Sequence, residues 1–224
     1  MVLFAITGEL GSGKTLTLTF LSWKNWFYRR KKIFSNYHLF KIPYVHIKNV
    51  NQLDLMREGF FSGDELWNIL DSRTSLKTKN RTTSNILLRS RKRDLNYTFT
   101  CQLLEQLDKR IRKVLDFSSY PLLNSGESVC KVIIFRSGFP SPANYMKTVY
   151  FKTSLIMDCF DTNEEVDMGE GDFDDMGNSI VEDSEIVFQD SKDGEPVKFA
   201  TWEEADKFAE RWWMSQSRIL KGRI

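Results

Sequence analysis

Through the first 157 residues, short unbroken apolar runs alternate with stretches of helical spacing, the pattern of buried strands joined by amphipathic helices. Val2 to Ile6 is the first strand run. Lys14 to Tyr28 follows as a helix buried through Leu16, Leu18, Leu21, Trp23 and Trp26, and the cations of Arg29 to Lys32 complement its dipole. Ile33 to Leu39 predicts a second strand and Phe60 to Gly63 a short third one. A helix capped by Thr82 or Thr83 and ending near Asp94 leads to a fourth strand, Tyr97 to Cys101. Leu104 to Asp116 predicts a helix, Val129 to Phe135 a fifth strand, and Tyr145 to Phe151 a sixth, at an edge. This is an α/β pattern with a mainly parallel central sheet flanked by helices.

The pattern then breaks. Residues 161–184 hold ten carboxylates and no Lys or Arg, and read as a flexible acidic linker. Beyond it, Glu185 to Gln189 and Pro196 to Ala200 flank a Lys192-Asp193-Gly194 turn, predicting a hairpin. Thr201-Trp202-Glu203-Glu204 is a capping box that opens a helix through Trp202, Ala205, Phe208, Ala209, Trp212 and Trp213. The division is therefore a main domain at 1–160, a linker at 161–184 and a small ββα module at 185–224 that is marginal alone and expected to dock elsewhere.

The first strand run opens directly into GELGSGKT at 8–15, with the spacing G-x-x-x-x-G-K-T. A strand, a glycine-rich turn and a helix N-terminus in this order present backbone N–H groups and a helix dipole to a phosphate chain. The nucleotide-binding candidates run through Gly8, Glu9, Leu10, Gly11, Ser12, Gly13, Lys14, Thr15 and Leu16. Lys14 reaches the β- and γ-phosphates, and the Thr15 hydroxyl is a Mg²⁺ ligand. The expected cofactors are ATP and Mg²⁺.

Hydrolysis needs a carboxylate as well. Asp64 and Glu65 end the third strand, which is expected beside the first. Asp64 is assigned to the metal through water and Glu65 to the attacking water as general base. Ser62-Gly63 stands where two bulky apolar residues would be usual. Gln102, just past the fourth strand, is placed to contact the γ-phosphate or the lytic water. Among many arginines, Arg91, Arg93 and Arg110 are the candidates to neutralise charge at a neighbouring subunit's γ-phosphate.

Charge narrows the partner. The net charge of +2 conceals a balance of +14 over residues 1–157 and −12 over 158–224. So basic a body attracts polyanions, nucleic acid first among them. Cys101, Cys130 and Cys159 lack C-x-x-C spacing and read as buried free thiols, and two histidines are too few for a ligand cluster. No run approaches the ~18 apolar residues that span a bilayer, and the N-terminus carries no signal-peptide pattern. The expectation is a soluble, intracellular protein.

Four segments resemble the FtsK–HerA superfamily of P-loop ATPases: GELGSGKT at 8–15, GDELW at 63–67 with Ser72-Arg73, LLRSRKRDLNYTFTCQ at 87–102, and LDKRIRKVLDF at 107–117. Within that superfamily they are most similar to viral genome-packaging ATPases and to zonular-occludens-toxin-like assembly proteins of filamentous phages, whose domain-closing phrase FDTNEEV at 160–166 resembles. The resemblance implies an ASCE/RecA-like P-loop NTPase that moves double-stranded DNA as a hexameric ring, with each site completed by a neighbour's arginine. It also implies a capsid, portal or vertex protein as partner, in the host cytoplasm or the virion. Toxin-like relatives usually carry a membrane span after this domain, where this chain has the acidic linker, which favours packaging over extrusion. A small-molecule kinase shares the phosphate loop, but the acid pair and the strand-ending glutamine suit water activation instead.

Overall fold

The computed structural model describes residues 2–49, 52–53, 56–66, 93–124, 126, 128–137, 140–166 and 185–221, with side chains as far as residue 216. Residues 82–92 of the helix expected to end near Asp94, Arg91 among them, lie outside these residues, as do 167–184 of the acidic segment.

Ten strands form one sheet. They are β1 (Leu3–Thr7), β2 (Lys32–Ser35), β3 (Tyr44–His46), β4 (Gly59–Gly63), β5 (Leu95–Cys101), β6 (Phe117–Leu122), β7 (Val129–Arg136), β8 (Tyr145–Lys152), β9 (Ile186–Phe188) and β10 (Val197–Phe199). Their order is β10-β9-β3-β2-β4-β5-β1-β6-β7-β8. The six strands from β3 to β6 are parallel, and antiparallel pairs extend the sheet on both sides. Among the described residues the α-helices are α1 (Lys14–Arg29), α2 (Lys109–Val114) and α3 (Trp202–Lys221).

Alternation sorts the core into two layers. Leu3, Ala5, Phe34, Phe61, Tyr97 and Phe99 face Leu104, Leu107, Ile111 and Leu115 on one side. Ile6, Ile33, Phe60, Cys130 and Val132 face Leu16, Leu18 and Trp26 of α1 on the other. All three cysteines are buried and free.

Several elements differ from the sequence reading. The acid-ended strand is not beside β1, because β5 pairs with both and lies between them. The second strand stops at Ser35 rather than Leu39, because the chain turns there: Ser35 Oγ donates to Tyr37 O at 2.7 Å. The helix expected from Leu104 to Asp116 is a 3₁₀ turn at Leu104–Gln106, followed by the short α2. Asp108 breaks it by capping α2, accepting from Arg110 N. Leu104, Leu107, Ile111 and Leu115 keep helical spacing across the break, so periodicity alone does not reveal it.

The hairpin β9–β10 forms as predicted, and β9 pairs with β3 in the main sheet. Thr201 accepts from Glu204 N–H at 3.3 Å at the start of α3. That helix lies against α1: Trp26 Nε1 donates to Asp206 at 2.8 Å, and Arg30 pairs with Glu210. Trp213 Nε1 donates to Lys41 O at 2.8 Å, and Trp202 packs edge-on against Phe34. The aromatics of this segment are therefore packing residues.

Asp206→Ala leaves the indole N–H of the buried Trp26 without its acceptor, and is expected to cost about 1–3 kcal/mol in chemical denaturation. Glu210→Ala, which removes only the partly exposed ion pair, should cost no more than about 1 kcal/mol.

Candidate active site

The phosphate loop joins the end of β1 to the first turn of α1, as the sequence predicts. Gly13 sits at φ 93°, and a Cβ there would lie 3.2 Å from Leu123 Cβ, so only glycine fits without strain. A Cβ on Gly8 would lie 2.8 Å from Ser12 Oγ. Glu9, Leu10 and Gly11 form the exposed crest of the loop, and Ser12 N–H closes the turn on Glu9 O at 3.2 Å. Leu16 is buried and anchors the first turn of α1. That turn contains no acidic side chain, so the positive end of the helix dipole is not offset from within the helix.

Lys14 spans the loop, its ammonium donating to Gly8 O at 3.0 Å and Glu9 O at 2.9 Å. Burial lowers its pKa, and the nearby charges of Asp64 and Glu65 oppose that shift. Next to it, Thr15 Oγ1 donates to Asp64 Oδ2 at 2.9 Å.

Asp64 is held on every side. Thr100 Oγ1 donates to its Oδ1 at 2.5 Å, so each carboxylate oxygen has a hydroxyl donor. Its backbone is clasped by one amide side chain: Asp64 N donates to Asn36 Oδ1 at 2.7 Å, and Asn36 Nδ2 donates to Asp64 O at 2.8 Å. Burial pushes the Asp64 pKa up, while the two threonine hydroxyls pull it back. Glu65 takes a left-handed conformation at φ 50°, unusual for a non-glycine residue, and its N–H donates to Thr100 Oγ1 at 2.8 Å. Its pKa is raised by partial burial and by the charge of Asp64.

The odd Ser62-Gly63 pair has a steric and a polar cause. A Cβ at Gly63 would lie 2.3 Å from Leu66 Cδ1, and Ser62 Oγ accepts from Ser22 of α1 at 2.9 Å. Tyr37 OH lies 3.0 Å from both Ser62 Oγ and Thr19 Oγ1, completing a buried hydroxyl chain beneath the helix.

Gln102 follows β5, between the loop strand β1 and the acid strand β4, and its carbonyl accepts from Thr7 Oγ1 at 2.8 Å. Lys14, Thr15, Asp64, Glu65 and Gln102 therefore share the carboxyl edge of the parallel strands, where α/β sheets bind ligands. Two arginine candidates lie elsewhere. Arg93 precedes β5, at the opposite edge, and its guanidinium donates to Leu53 O at 3.4 Å. Arg110 is bidentate on Asp108 of its own helix cap, at 3.0 and 2.7 Å. Asn36 and Thr100 were not singled out from sequence. The alternation of Asn96, Thr98 and Thr100 along β5 was the one available signal.

The residues present suit Mg²⁺. Thr15 and Asp64 offer hard oxygen donors, and no cluster of three His, Cys, Asp or Glu occurs among the described residues to build an all-protein cage. Ser12 Oγ is buried without a protein partner beside the loop, where a phosphate oxygen would supply one.

No family model and no curated protein matches the chain. Among solved structures, the N-terminal domain of zonular occludens toxin from Neisseria meningitidis aligns with a TM-score of 0.50 at 16% identity, covering 67% of this chain and 93% of that one. The fold is that of a P-loop NTPase. The genome packaging NTPase B204 of Sulfolobus turreted icosahedral virus 2 is also similar. Its AMPPCP complex aligns at 10% identity with a TM-score of 0.48, over 67% of this chain and 97% of that one. The resemblance read from sequence is thus met at the level of fold. No helix among the described residues is long and apolar enough to cross a membrane.

Within this P-loop NTPase fold, Thr100→Val keeps the side chain's shape but removes one donor to Asp64 and the acceptor for Glu65 N–H. The Mg²⁺ concentration for half-maximal nucleotide binding should rise about tenfold or more, as measured by titration with a fluorescent ATP analogue.

Proposed function

We propose that the chain is an ATP-hydrolysing DNA translocase acting as a viral genome-packaging motor. The observation that carries this reading is the shared carboxyl edge. There the phosphate-loop threonine donates to a buried Asp64, and Glu65 follows it in a strained conformation. In this reading the backbone N–H groups of residues 8–15 and the Lys14 ammonium bind the triphosphate. Thr15, and Asp64 through water, would hold Mg²⁺, which would supply positive charge to offset that of the triphosphate. Glu65 accepts a proton from the water that attacks the γ-phosphorus. The Gln102 amide contacts the γ-phosphate or that water.

The balance of +14 over residues 1–157 supports DNA as the moved polymer, gripped through its phosphates without regard to sequence. Assembly as a hexameric ring, an arginine supplied in trans and docking on a capsid or portal protein belong to the same reading. The likeness to the zonular occludens toxin domain favours a second reading, a phage assembly ATPase working at a membrane. Co-fractionation with membranes and coat protein would select it.

Phosphate release with and without double-stranded DNA tests the proposal. Wild type should be stimulated by DNA. Lys14→Ala should lose nucleotide binding, and Glu65→Gln should bind ATP but turn it over about 100-fold or more slowly. A rate indifferent to DNA would reduce the protein to an NTPase, and an unaltered rate in Glu65→Gln would remove the assigned base.

A further inference from the structure

A cavity of about 260 Å³ lies between α1 and the sheet. It runs along the helix from Thr17 to Arg29, with Phe4 of β1, Asn96 of β5 and Phe117 of β6 lining it from the sheet side. These residues stand at the starts of their strands, so the cavity reaches toward the amino edge, opposite the edge that carries Asp64 and Gln102. Helix rise puts Arg29 about 22 Å from Lys14.

Its lining combines three chemistries. Phe4, Phe20, Phe60 and Phe117 make it aromatic, and Phe4 meets Phe117 edge-on with ring centroids 6.2 Å apart. Lys24, Arg29 and Lys147 line it as exposed cations, and no carboxylate stands among the described lining residues. Asn25 adds a buried acceptor. That residue is 6% exposed, its Nδ2 donates to Leu21 O at 2.8 Å, and its Oδ1 is buried without a hydrogen-bond partner. An acceptor buried in this way is costly until a donor meets it. The cavity therefore suits a ligand with apolar bulk, a negative charge and an N–H or O–H donor. An ionised fatty acid has the first two and lacks the donor. The last residue of a polypeptide has all three, because side chain, carboxylate and N–H share one Cα.

We propose that this cavity captures the free C-terminus of a partner polypeptide whose last residue is large and apolar. The side chain of that residue fills the aromatic space; a dry cavity of about 150 Å³ already holds a benzene ring. Its N–H donates to Asn25 Oδ1. Its carboxylate pairs with Arg29, whose planar fork suits bidentate contact, and Lys24 and Lys147 add charge of the same sign. Capture here gives the chain a docking point for another protein that leaves the nucleotide edge open. The inference stands apart from the nucleotide reading and does not depend on it.

Fluorescence polarisation on the full chain tests this, with the dye-labelled peptide Gly-Ser-Gly-Ser-Phe as probe. The free acid should bind saturably. The C-terminal amide, and a form N-methylated at the last residue, should each bind about tenfold or more weakly, the size of one hydrogen bond to a charged or buried group. Arg29→Ala should bring the free acid down to the level of the amide, leave the amide unchanged, and bind ATP as wild type does. Dodecanoate, which lacks the donor, should compete no better than the N-methyl peptide. Stronger competition would make the cavity an acyl-chain site and overturn the proposal. Equal affinity for acid and amide, equal affinity for the N-methyl form, or no saturable binding of free acids ending in Phe or Leu also overturns it.

Discussion

One buried carboxylate organises this molecule. Asp64 is 8% exposed, and a charge so placed is costly unless donors surround it. The carboxylate's donors come from distant parts of the chain, Thr15 at the start of α1 and Thr100 near the end of β5, while Asn36 at the turn after β2 clasps the Asp64 backbone. Three elements and that turn are thereby registered on one residue. The same contacts fix Glu65, since Thr100 also accepts its N–H and holds it at φ 50°. Strain and buried charge at one spot make poor sense as stability devices and good sense as a prearranged site for a metal and a water.

The strand, glycine turn and helix around residues 2–28 were fully legible, because a phosphate loop is local and each residue type has a local reason. Asp64, Glu65 and Gln102 were legible as strand-ending polar residues, and the structure brings them to the same edge as the loop. What the residues did not declare was strand order. Apolar content shows that β1, β4 and β5 are buried, but not that β5 separates the other two. The break at Asp108 stayed hidden because the buried leucines keep their spacing through it. β6, with two serines and Pro121 among its six residues, does not look like a core strand, yet Ser118 and Ser119 are fully buried. Ser62-Gly63 looked like a weakness and is a fitting device, since small residues admit Leu66 on one face and the Ser22 hydroxyl on the other.

Long-range polar contacts were the least legible layer. Asn36 lies 28 residues from Asp64, and nothing local marks its amide as a backbone clasp. The two histidines likewise meet only in the fold, with ring centroids 4.7 Å apart, and His38 also contacts Glu164 at 2.7 Å. That contact fastens the start of the acidic segment to the turn after β2. The last hairpin continues the main sheet through β3, and α3 holds the far end of the helix whose first turn carries Lys14. Both ends of α1 are thus tied to elements widely separated in sequence.

The central claim is that a metal-bearing Asp64 and a water-directing Glu65 face a γ-phosphate held by the first turn of α1. A crystal structure with Mg²⁺ and a non-hydrolysable ATP analogue tests it most directly. The account predicts the metal at Thr15 with Asp64 in its water shell, and a water in line with the γ-phosphorus within hydrogen-bond distance of Glu65. A nucleotide bound with Glu65 turned away, and no other carboxylate at that water, would contradict it.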